Sequence, residues 1–183
     1  MQDAAVLHEL TPVAEQLLER HLESAIEWFP HEVVPWERGN ELRERGFGYR
    51  RDSVAPGVRS ALMVNLLTED NLPWYSRTLS RIFGSDSAWG EWGRRWTAEE
   101  GRHSIAMRDY VTISGLVDPS ELEQARMAQV SSGLVPEPEN AVDGMCYVAV
   151  QELATRVSHR NTGAALEDPA GYEVMMRLAA DEN

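Results

Sequence analysis

The sequence predicts an all-helical fold, a bundle of long helices, and three observations support this prediction. Apolar residues recur at three- and four-residue spacing over most of the 183 residues. Capping residues and prolines stand where these segments begin, and glycines stand where several of them end. No stretch of comparable strength shows the alternation typical of a strand. A chain of this length fits one domain, so we expect a single helical domain over residues 1–183.

The first half of the chain predicts three helices, the first two separated by a connection over residues 30–55 that contains several Pro and Gly residues. The approximate bounds of the three helices are 12–30, 56–83 and 87–114. The first opens where Thr11 caps a proline in the first helical position. The second opens at Pro56 and contains Pro73, which removes the hydrogen-bond partner of the Glu69 carbonyl, so we expect a kink there or a new helix. The third keeps helical spacing until a glycine ends it.

The second half predicts three more helices, with approximate bounds 119–132, 141–161 and 169–183. The capping box Asp118-Pro119-Ser120-Glu121 opens the first of them. A loop over residues 133–140 separates it from the second, which stops at Gly163. Asp168-Pro169 opens the third, and no Gly or Pro ends its apolar stripe before Asn183. We therefore expect this helix to be still running at Asn183 and to continue in a longer chain.

The composition excludes several classes of function. The formal net charge of −13 argues against a nucleic-acid partner. All 17 basic residues are arginine, which excludes lysine Schiff-base chemistry and a lysine phosphate-binding loop. Apolar runs are too short for a membrane span, and residues 1–20 lack the pattern of a signal peptide. The single Cys146 cannot form an internal disulfide, so we expect a cytoplasmic protein in which Cys146 is a small core residue.

The segment Trp96-Thr97-Ala98-Glu99-Glu100-Gly101-Arg102-His103 carries the residues best suited to chemistry. Glu100 and His103 lie three residues apart, which is one face of a helix, so they can bind the same metal ion. They share that face with large apolar residues such as Trp96, where a charged side chain is costly to bury unless it is paired or bound to metal.

Three other glutamates, Glu69, Glu152 and Glu182, also fall on apolar helical faces, so four helices each direct one carboxylate toward a common seam. Four carboxylates would repel one another, whereas two divalent cations would neutralise them, and imidazoles would complete the ligands without adding charge. His103 is one such imidazole. His159 lies two turns after Glu152 and can approach the metals, and we interpret it as a residue behind the ligands or a structural one.

Several segments resemble, in the same order, motifs of the soluble acyl-carrier-protein desaturases, a family of plant stearoyl-type enzymes and actinobacterial relatives. These segments are residues 28–31, 68–73, 96–103, 151–162 and 180–183. The resemblance covers nearly the whole chain. It implies a ferritin-like di-iron carboxylate four-helix bundle core with extra helices, incomplete at its C-terminal end. One departure is Gly101, which replaces the Asn of the family motif and costs about 1 kcal/mol of helix stability relative to Ala.

The resemblance also implies roles for individual residues. The ligands of two iron ions are matched by Glu69, Glu100, His103, Glu152 and Glu182. Thr155 matches a residue beside the oxygen-binding face that is suited to proton delivery. Trp28 and Asp181 match residues linked to His103, which would fix its tautomer and pass electrons. The position three residues after Glu182, where the family has its second histidine ligand, lies beyond Asn183, so we expect this chain to hold no metal or one weakly occupied site.

The activity implied by the resemblance is O₂-dependent desaturation of an acyl chain carried on acyl carrier protein. An external donor such as ferredoxin would supply electrons, and the protein would be a homodimer. Two alternatives stay open: a related di-iron oxidase or hydroxylase that acts on another substrate, and a non-catalytic iron-binding bundle. A basic cluster is interpreted either as solvated surface or as a docking patch for the acidic carrier protein, and its members are Arg43, Arg45, Arg50 and Arg51.

Overall fold

The computed structural model describes residues 2–46 and 53–182, and within these ranges the chain is helical with no strand. The prediction of an all-helical fold is therefore confirmed. Arg50 and Arg51 of the predicted docking patch lie outside the described residues. The helices are α1 Gln2–Ser24, α2 Pro30–Val33, α3 Arg38–Glu44, α4 Pro56–Asp70, α5 Leu72–Phe83, α6 Ser87–Ile113, α7 Pro119–Ser132, α8 Ala141–Ala165 and α9 Pro169–Asp181.

The predicted bounds of the first helix are wrong. The helix α1 begins at Gln2 and ends at Ser24, so Pro12 stands inside it and does not open it. A proline within a helix removes one hydrogen bond, and here the position is exposed, so water can satisfy the freed carbonyl. The expected connection over residues 30–55 contains two short helices, α2 and α3. At the start of α2 the Glu32 carboxylate accepts a hydrogen bond from the backbone N–H of Phe29 at 2.9 Å.

The interruption expected near Pro73 is a break between two helices. The helix α4 ends at Asp70, and α5 begins at Leu72. Pro73 lies in the first turn of α5, where its missing N–H removes no helical hydrogen bond. The fully buried Asn71 stands at the break, and its side-chain amide donates to the carbonyl of Leu134 at 3.1 Å. This contact ties the end of α4 to the connection between α7 and α8.

Four helices form the core of the bundle, in the order α4, α6, α9 and α8 around it. The helices α8 and α9 pack most extensively against each other, and Gly163 permits this because an added Cβ would lie 2.8 Å from Cβ of Met175. The core residues buried at 0 % exposure include Leu62, Leu66, Met107, Met175 and Leu178. Helices α1 and α5 cover α6 and α8 from outside. None of the described helices is both long and apolar enough to cross a membrane.

The outer face of α8 is apolar and exposed, which the sequence analysis did not predict. Val150 and Leu153 are 67 % and 59 % exposed, and Val142 and Val157 lie on the same side. Cys146 is also exposed, so the expectation that it is a core residue is wrong. The apolar run around Cys146 has hydrophobic residues on both sides of the helix, and the bundle covers only one of them. The last predicted helix, α9, ends at Asp181, and Glu182 occupies the turn that follows it.

Candidate metal centre

Four of the predicted ligands converge between α4, α6 and the end of α9. Glu69, Glu100, His103 and Glu182 each offer one ligand atom, and these atoms all lie within 4.8 Å of one another. Glu69, His103 and Glu182 are buried, and Glu100 is mostly buried. Metal ions of two-metal sites lie roughly 3.5–4 Å apart, so side chains at this separation can share cations.

Glu152, the fifth predicted ligand, reaches the same region from α8. Its Oε1 accepts a hydrogen bond from the indole Nε1 of Trp96 at 3.0 Å. Glu152, Glu69, Glu100 and Thr155 line a small cavity of about 10 Å³, roughly the space that one water molecule occupies. The Thr155 hydroxyl donates to carbonyls of its own helix at 3.1 Å. We use the name carboxylate cluster for the five predicted ligands Glu69, Glu100, His103, Glu152 and Glu182.

His103 is oriented by a hydrogen-bond network on the side away from the cluster. Its Nε2 lies 3.2 Å from Oδ2 of Asp181, and the same oxygen accepts from Nε1 of Trp28 at 2.8 Å and from Arg102 at 2.7 Å. Arg102 also lies over the Trp28 ring, 4.6 Å from its centroid. Burial opposes ionisation of Asp181, but His103 and Trp28 outweigh it and lower the pKa of this carboxyl group. The carboxylate therefore accepts Nε2–H, which leaves Nδ1 as the basic nitrogen.

The free nitrogen of His103 faces the carboxylates. Nδ1 lies 3.5 Å from Oε2 of Glu100, 3.3 Å from Oε1 of Glu182 and 3.9 Å from Oε2 of Glu69. Among the described residues, neither this nitrogen nor either carboxylate oxygen of Glu182 has a hydrogen-bond partner, although all three atoms are buried. Buried polar atoms in proteins are nearly always paired. Unpaired carboxylate oxygens and an imidazole nitrogen around one point fit a metal cation, which accepts lone pairs from all of them.

His159 contacts this cluster directly from α8. It is fully buried, and its Nε2 lies 3.2 Å from Oε1 of Glu69 and 3.5 Å from Oε1 of Glu182. Its Nδ1 has no hydrogen-bond partner among the described residues. The sequence interpretation placed His159 behind the ligands or in a structural role, and the structure adds that it touches two of them.

Two of the carboxyl groups hold their protons unusually strongly. Burial, together with the nearby charges of Glu69 and Glu182, raises the pKa of Glu100 to about 8. Burial and the neighbouring Glu182 raise the pKa of Glu152 to about 10. Both shifts have the same cause: several buried carboxylates cannot all ionise together without compensating positive charge.

The groups next to them shift in the opposite sense. Burial disfavours the ionised form of Glu182, but the adjacent imidazoles of His103 and His159 outweigh it and lower the pKa of this carboxyl group. Burial also disfavours protonated imidazoles, yet the surrounding carboxylates raise the pKa of His103, and that of His159 to about 9. Protons thus supply the positive charge that the carboxylates require, and a metal ion would displace them on binding.

A second, partly buried polar cluster lies at the other end of α9, and the sequence analysis missed it. The guanidinium of Arg38 donates two hydrogen bonds to Asp168, at 2.6 and 2.8 Å, and the hydroxyl of Tyr110 donates a third at 2.8 Å. Arg38 and Tyr110 together lower the pKa of Asp168 to about 2. We call Arg38, Asp168 and Tyr110 the clamp, because they join α3, α6 and α9. The only sequence signal was the capping position of Asp168.

The predicted docking patch is only partly described. Arg43 and Arg45 are exposed near the end of α3. Arg45 lines a cavity of about 380 Å³ together with Arg38 and Asp168 of the clamp. This cavity lies at the end of the bundle away from the carboxylate cluster, so the two sites are separate.

Comparisons with known proteins agree with the motif pattern. A family described as fatty acid desaturase matches residues 2–183. The chain is 43% identical to a Mycobacterium tuberculosis protein named "Putative acyl-(acyl-carrier-protein) desaturase DesA1", over all of this chain and 57% of that protein. It is 41% identical to a chloroplastic stearoyl-(acyl-carrier-protein) 9-desaturase of Arabidopsis thaliana, over 85% of this chain and 42% of that protein. The chain thus spans about half the length of these two curated relatives.

A solved structure shares the fold over nearly the whole chain. It is the X-ray structure of the "putative acyl-ACP desaturase DesA2" from Mycobacterium tuberculosis H37Rv, with a TM-score of 0.70 and 30% sequence identity. The match covers 97% of this chain and 64% of that one. The helical arrangement around the carboxylate cluster is therefore one that a named desaturase also adopts.

Proposed function

The chain belongs to the fatty acid desaturase family, and we propose on that premise that it is an O₂-dependent di-iron desaturase acting on an acyl chain carried by acyl carrier protein. The names of its relatives support the substrate class. The observation that carries the proposal is the convergence of Glu69, Glu100, His103 and Glu182 within 4.8 Å, where buried atoms of His103 and Glu182 have no hydrogen-bond partner among the described residues.

In this proposal the carboxylate cluster binds iron: two ions where a second histidine ligand completes the set that the family resemblance implies, and at most one weakly held ion with the five ligands of residues 1–183 alone. Two divalent cations would offset the four negative charges that burial makes costly. Bound iron would supply the activation of O₂ that carbon–hydrogen cleavage requires. His103 would bind through Nδ1, because Asp181 accepts the proton on Nε2. His159 would support the site by donating from Nε2 to Glu69.

The residues around the cluster would control electrons, protons and water. We propose that electrons reach the site through Trp28, Asp181 and His103, which are linked by hydrogen bonds of 2.8 and 3.2 Å. We assign proton delivery to Thr155, whose side chain lines the small cavity beside Glu69, Glu100 and Glu152. The remaining lining includes Leu72, Tyr75 and Trp96, whose large side chains leave little room for water.

The proposal extends to three partners. Acyl carrier protein would present the substrate, and the exposed Arg43 and Arg45 would attract its acidic surface. A ferredoxin-type protein would supply electrons. A second copy of the chain would form a homodimer, for which the exposed apolar face of α8, including Val150 and Leu153, is suited.

The test compares two adjacent glutamates. Glu100→Gln removes a carboxylate from the cluster, whereas Glu99→Gln alters a glutamate that instead pairs with Arg95 at 2.6 Å and His21 at 3.0 Å. Each purified chain is loaded with Fe(II) without oxygen, and its iron content is measured. Turnover is then followed with acyl carrier protein loaded with a saturated acyl chain, a ferredoxin-type reductant and O₂. We expect Glu100→Gln to lose iron and unsaturated product, and Glu99→Gln to keep both. Equal behaviour of the two variants would contradict the proposal.

A further inference from the structure

A column of aromatic rings leads from the carboxylate cluster toward the start of α6. Its inner end is Trp96, whose indole Nε1 donates to Oε1 of Glu152 at 3.0 Å. The ring of Trp92 follows, with 6.5 Å between the two ring centroids. Phe83 lies 5.6 Å from Trp92 edge-on, and Trp89 stacks on Phe83 at 5.5 Å. Each ring is therefore within the separation of interacting aromatic pairs from the next.

The outer end of this column opens on a cleft between α5 and α6. Trp92, Trp89 and Phe83 line this cleft, which has a volume of about 260 Å³ and is bordered by the exposed Arg94. The indole of Trp89 is fixed by a hydrogen bond to the carbonyl of Leu7 at 3.1 Å. Small solutes can therefore reach Trp92 and Trp89.

The oxidation chemistry of indole points to a role for these rings besides packing. Indole is among the side chains that lose an electron most easily. In Trp96 its Nε1–H donates to Oε1 of Glu152, so this ring is in direct contact with a proposed ligand of the metal centre. The column also differs from the Trp28 network, which approaches the centre through Asp181 and His103 on another side.

We propose that Trp96 and Trp92 form a relay that removes an oxidising equivalent when the metal centre has been oxidised by O₂ and no acyl substrate is present. The proposal rests on the proposed function. Trp96 would give one electron to the oxidised metal centre and become a radical cation, with its Nε1–H still hydrogen-bonded to Glu152. Trp92 then returns an electron to Trp96. A soluble thiolate in the cleft gives one electron to Trp92 and becomes a thiyl radical. The net change is that one thiolate is oxidised by one electron and the metal centre is reduced by one electron.

The first test maps oxidation in the unmodified chain. The iron-loaded protein is cycled with an electron donor and O₂, without acyl substrate and without thiol, and oxidised tryptophan is quantified by peptide mass spectrometry. We expect hydroxytryptophan at Trp96 and Trp92 to exceed that at Trp36 several-fold, although Trp36 is 46 % exposed. Oxidation that is greatest at Trp36 would indicate a freely diffusing oxidant, and oxidation that is greatest at Trp28 would indicate the other route. Either result would overturn the relay.

The second test interrupts electron transfer along the relay by replacing Trp92. Trp92→Phe should raise oxidation at Trp96 several-fold and abolish the protection that added thiol gives to Trp96. The matched control is Trp74→Phe, because Trp74 donates to the carbonyl of Val130 and lies outside the column. Unchanged oxidation of Trp96 in Trp92→Phe would overturn the relay.

Iron content distinguishes the two levels of the proposal. A Glu100→Gln chain that binds as much iron as the unmodified chain would contradict the proposed function, and the relay would fall with it. A chain that binds iron but is oxidised mainly at Trp36 would leave the metal centre in place and overturn the relay alone.

Discussion

The pair of helices α6 and α9 holds charged side chains near both of its ends, but among the described residues only the end at Asp168 gives every carboxylate oxygen a hydrogen-bond partner. At the clamp, Asp168 accepts two hydrogen bonds from Arg38 and one from Tyr110. At the carboxylate cluster, roughly 20 Å away along α9, both oxygens of Glu182 and Nδ1 of His103 are buried without a hydrogen-bond partner among the described residues.

This difference separates a structural cluster from a ligand-binding one. A partly buried carboxylate stays ionised when donors surround it, as the low pKa of Asp168 indicates. The cluster differs, because burial raises the pKa of Glu100 and Glu152, and protons on His103 and His159 compensate its carboxylates instead of a fixed cation. Acidic side chains on shared helices thus hold the fold together at one end and form a candidate metal centre at the other.

The largest expected effect is the loss of iron when the imidazole of the cluster is removed. His103→Ala should abolish the iron binding that the unmodified chain shows, because Nδ1 of His103 is the nitrogen that faces Glu100 and Glu182. Elemental analysis after Fe(II) loading measures the effect. The exposed His31 provides the control, and His31→Ala should keep wild-type iron content. Iron retained in His103→Ala would remove His103 from the ligands.

The next largest effect is a loss of folding stability when the hydrogen bonds of the clamp are weakened. Asp168→Asn should lower the free energy of unfolding by about 2 kcal/mol, since it weakens hydrogen bonds to a charged partner, which are each worth about 1.5–3 kcal/mol. The partial exposure of Arg38 and Asp168 keeps the value at the lower end. Urea denaturation monitored by circular dichroism measures it. Iron content should be unchanged, and a loss of iron would show that the two ends are not independent.

The same carboxyl-to-amide change at the cluster should behave differently. Glu152→Gln should change the free energy of unfolding of the metal-free chain by less than about 1 kcal/mol, because an amide keeps the shape and still accepts from Trp96. It should nevertheless lower iron content. Denaturation in the presence of a chelator makes this comparison. A destabilisation as large as that of Asp168→Asn would contradict the distinction between the two ends.

The smallest effect is a pH dependence confined to the clamp. The pKa of Asp168 is about 2 in the folded chain against an ordinary value of 3.8. A depressed pKa contributes stability that is fully present above the ordinary value and is lost as the pH falls through the folded value. The stability difference between wild type and Asp168→Asn should therefore shrink as the pH falls from 3.8 toward 2. A difference that stays constant over this range would show that Asp168 is not held ionised by the clamp.

The sequence predicted the helices whose ends carry local signals. The capping box at Asp118 opens α7 as expected, with the carboxylate accepting from the backbone N–H of Ser120 at 2.8 Å. The spacing of apolar residues placed Glu69, Glu100, Glu152 and Glu182 on inward faces, and the structure buries them wholly or mostly.

What the sequence could not predict depends on contacts between distant residues. The clamp joins Arg38 to Asp168, which are 130 residues apart, and neither residue has a local signal for this pair. The contact of His159 with Glu69 spans 90 residues and follows from how α8 packs on α4. Cys146 was misplaced for a related reason, because hydrophobic residues lie on both faces of α8 and only packing shows which face is exposed.

The most direct test of the proposed metal centre is to locate iron within the chain. Crystals of the protein loaded with Fe(II) in the absence of oxygen are measured at the iron absorption edge, where anomalous scattering marks iron atoms. We expect a peak of anomalous scattering among Glu69, Glu100, His103 and Glu182, and none at Asp168 of the clamp. A peak only elsewhere on the acidic surface, or equal peaks at the cluster and the clamp, would contradict the claim that unpaired buried carboxylates identify the metal centre.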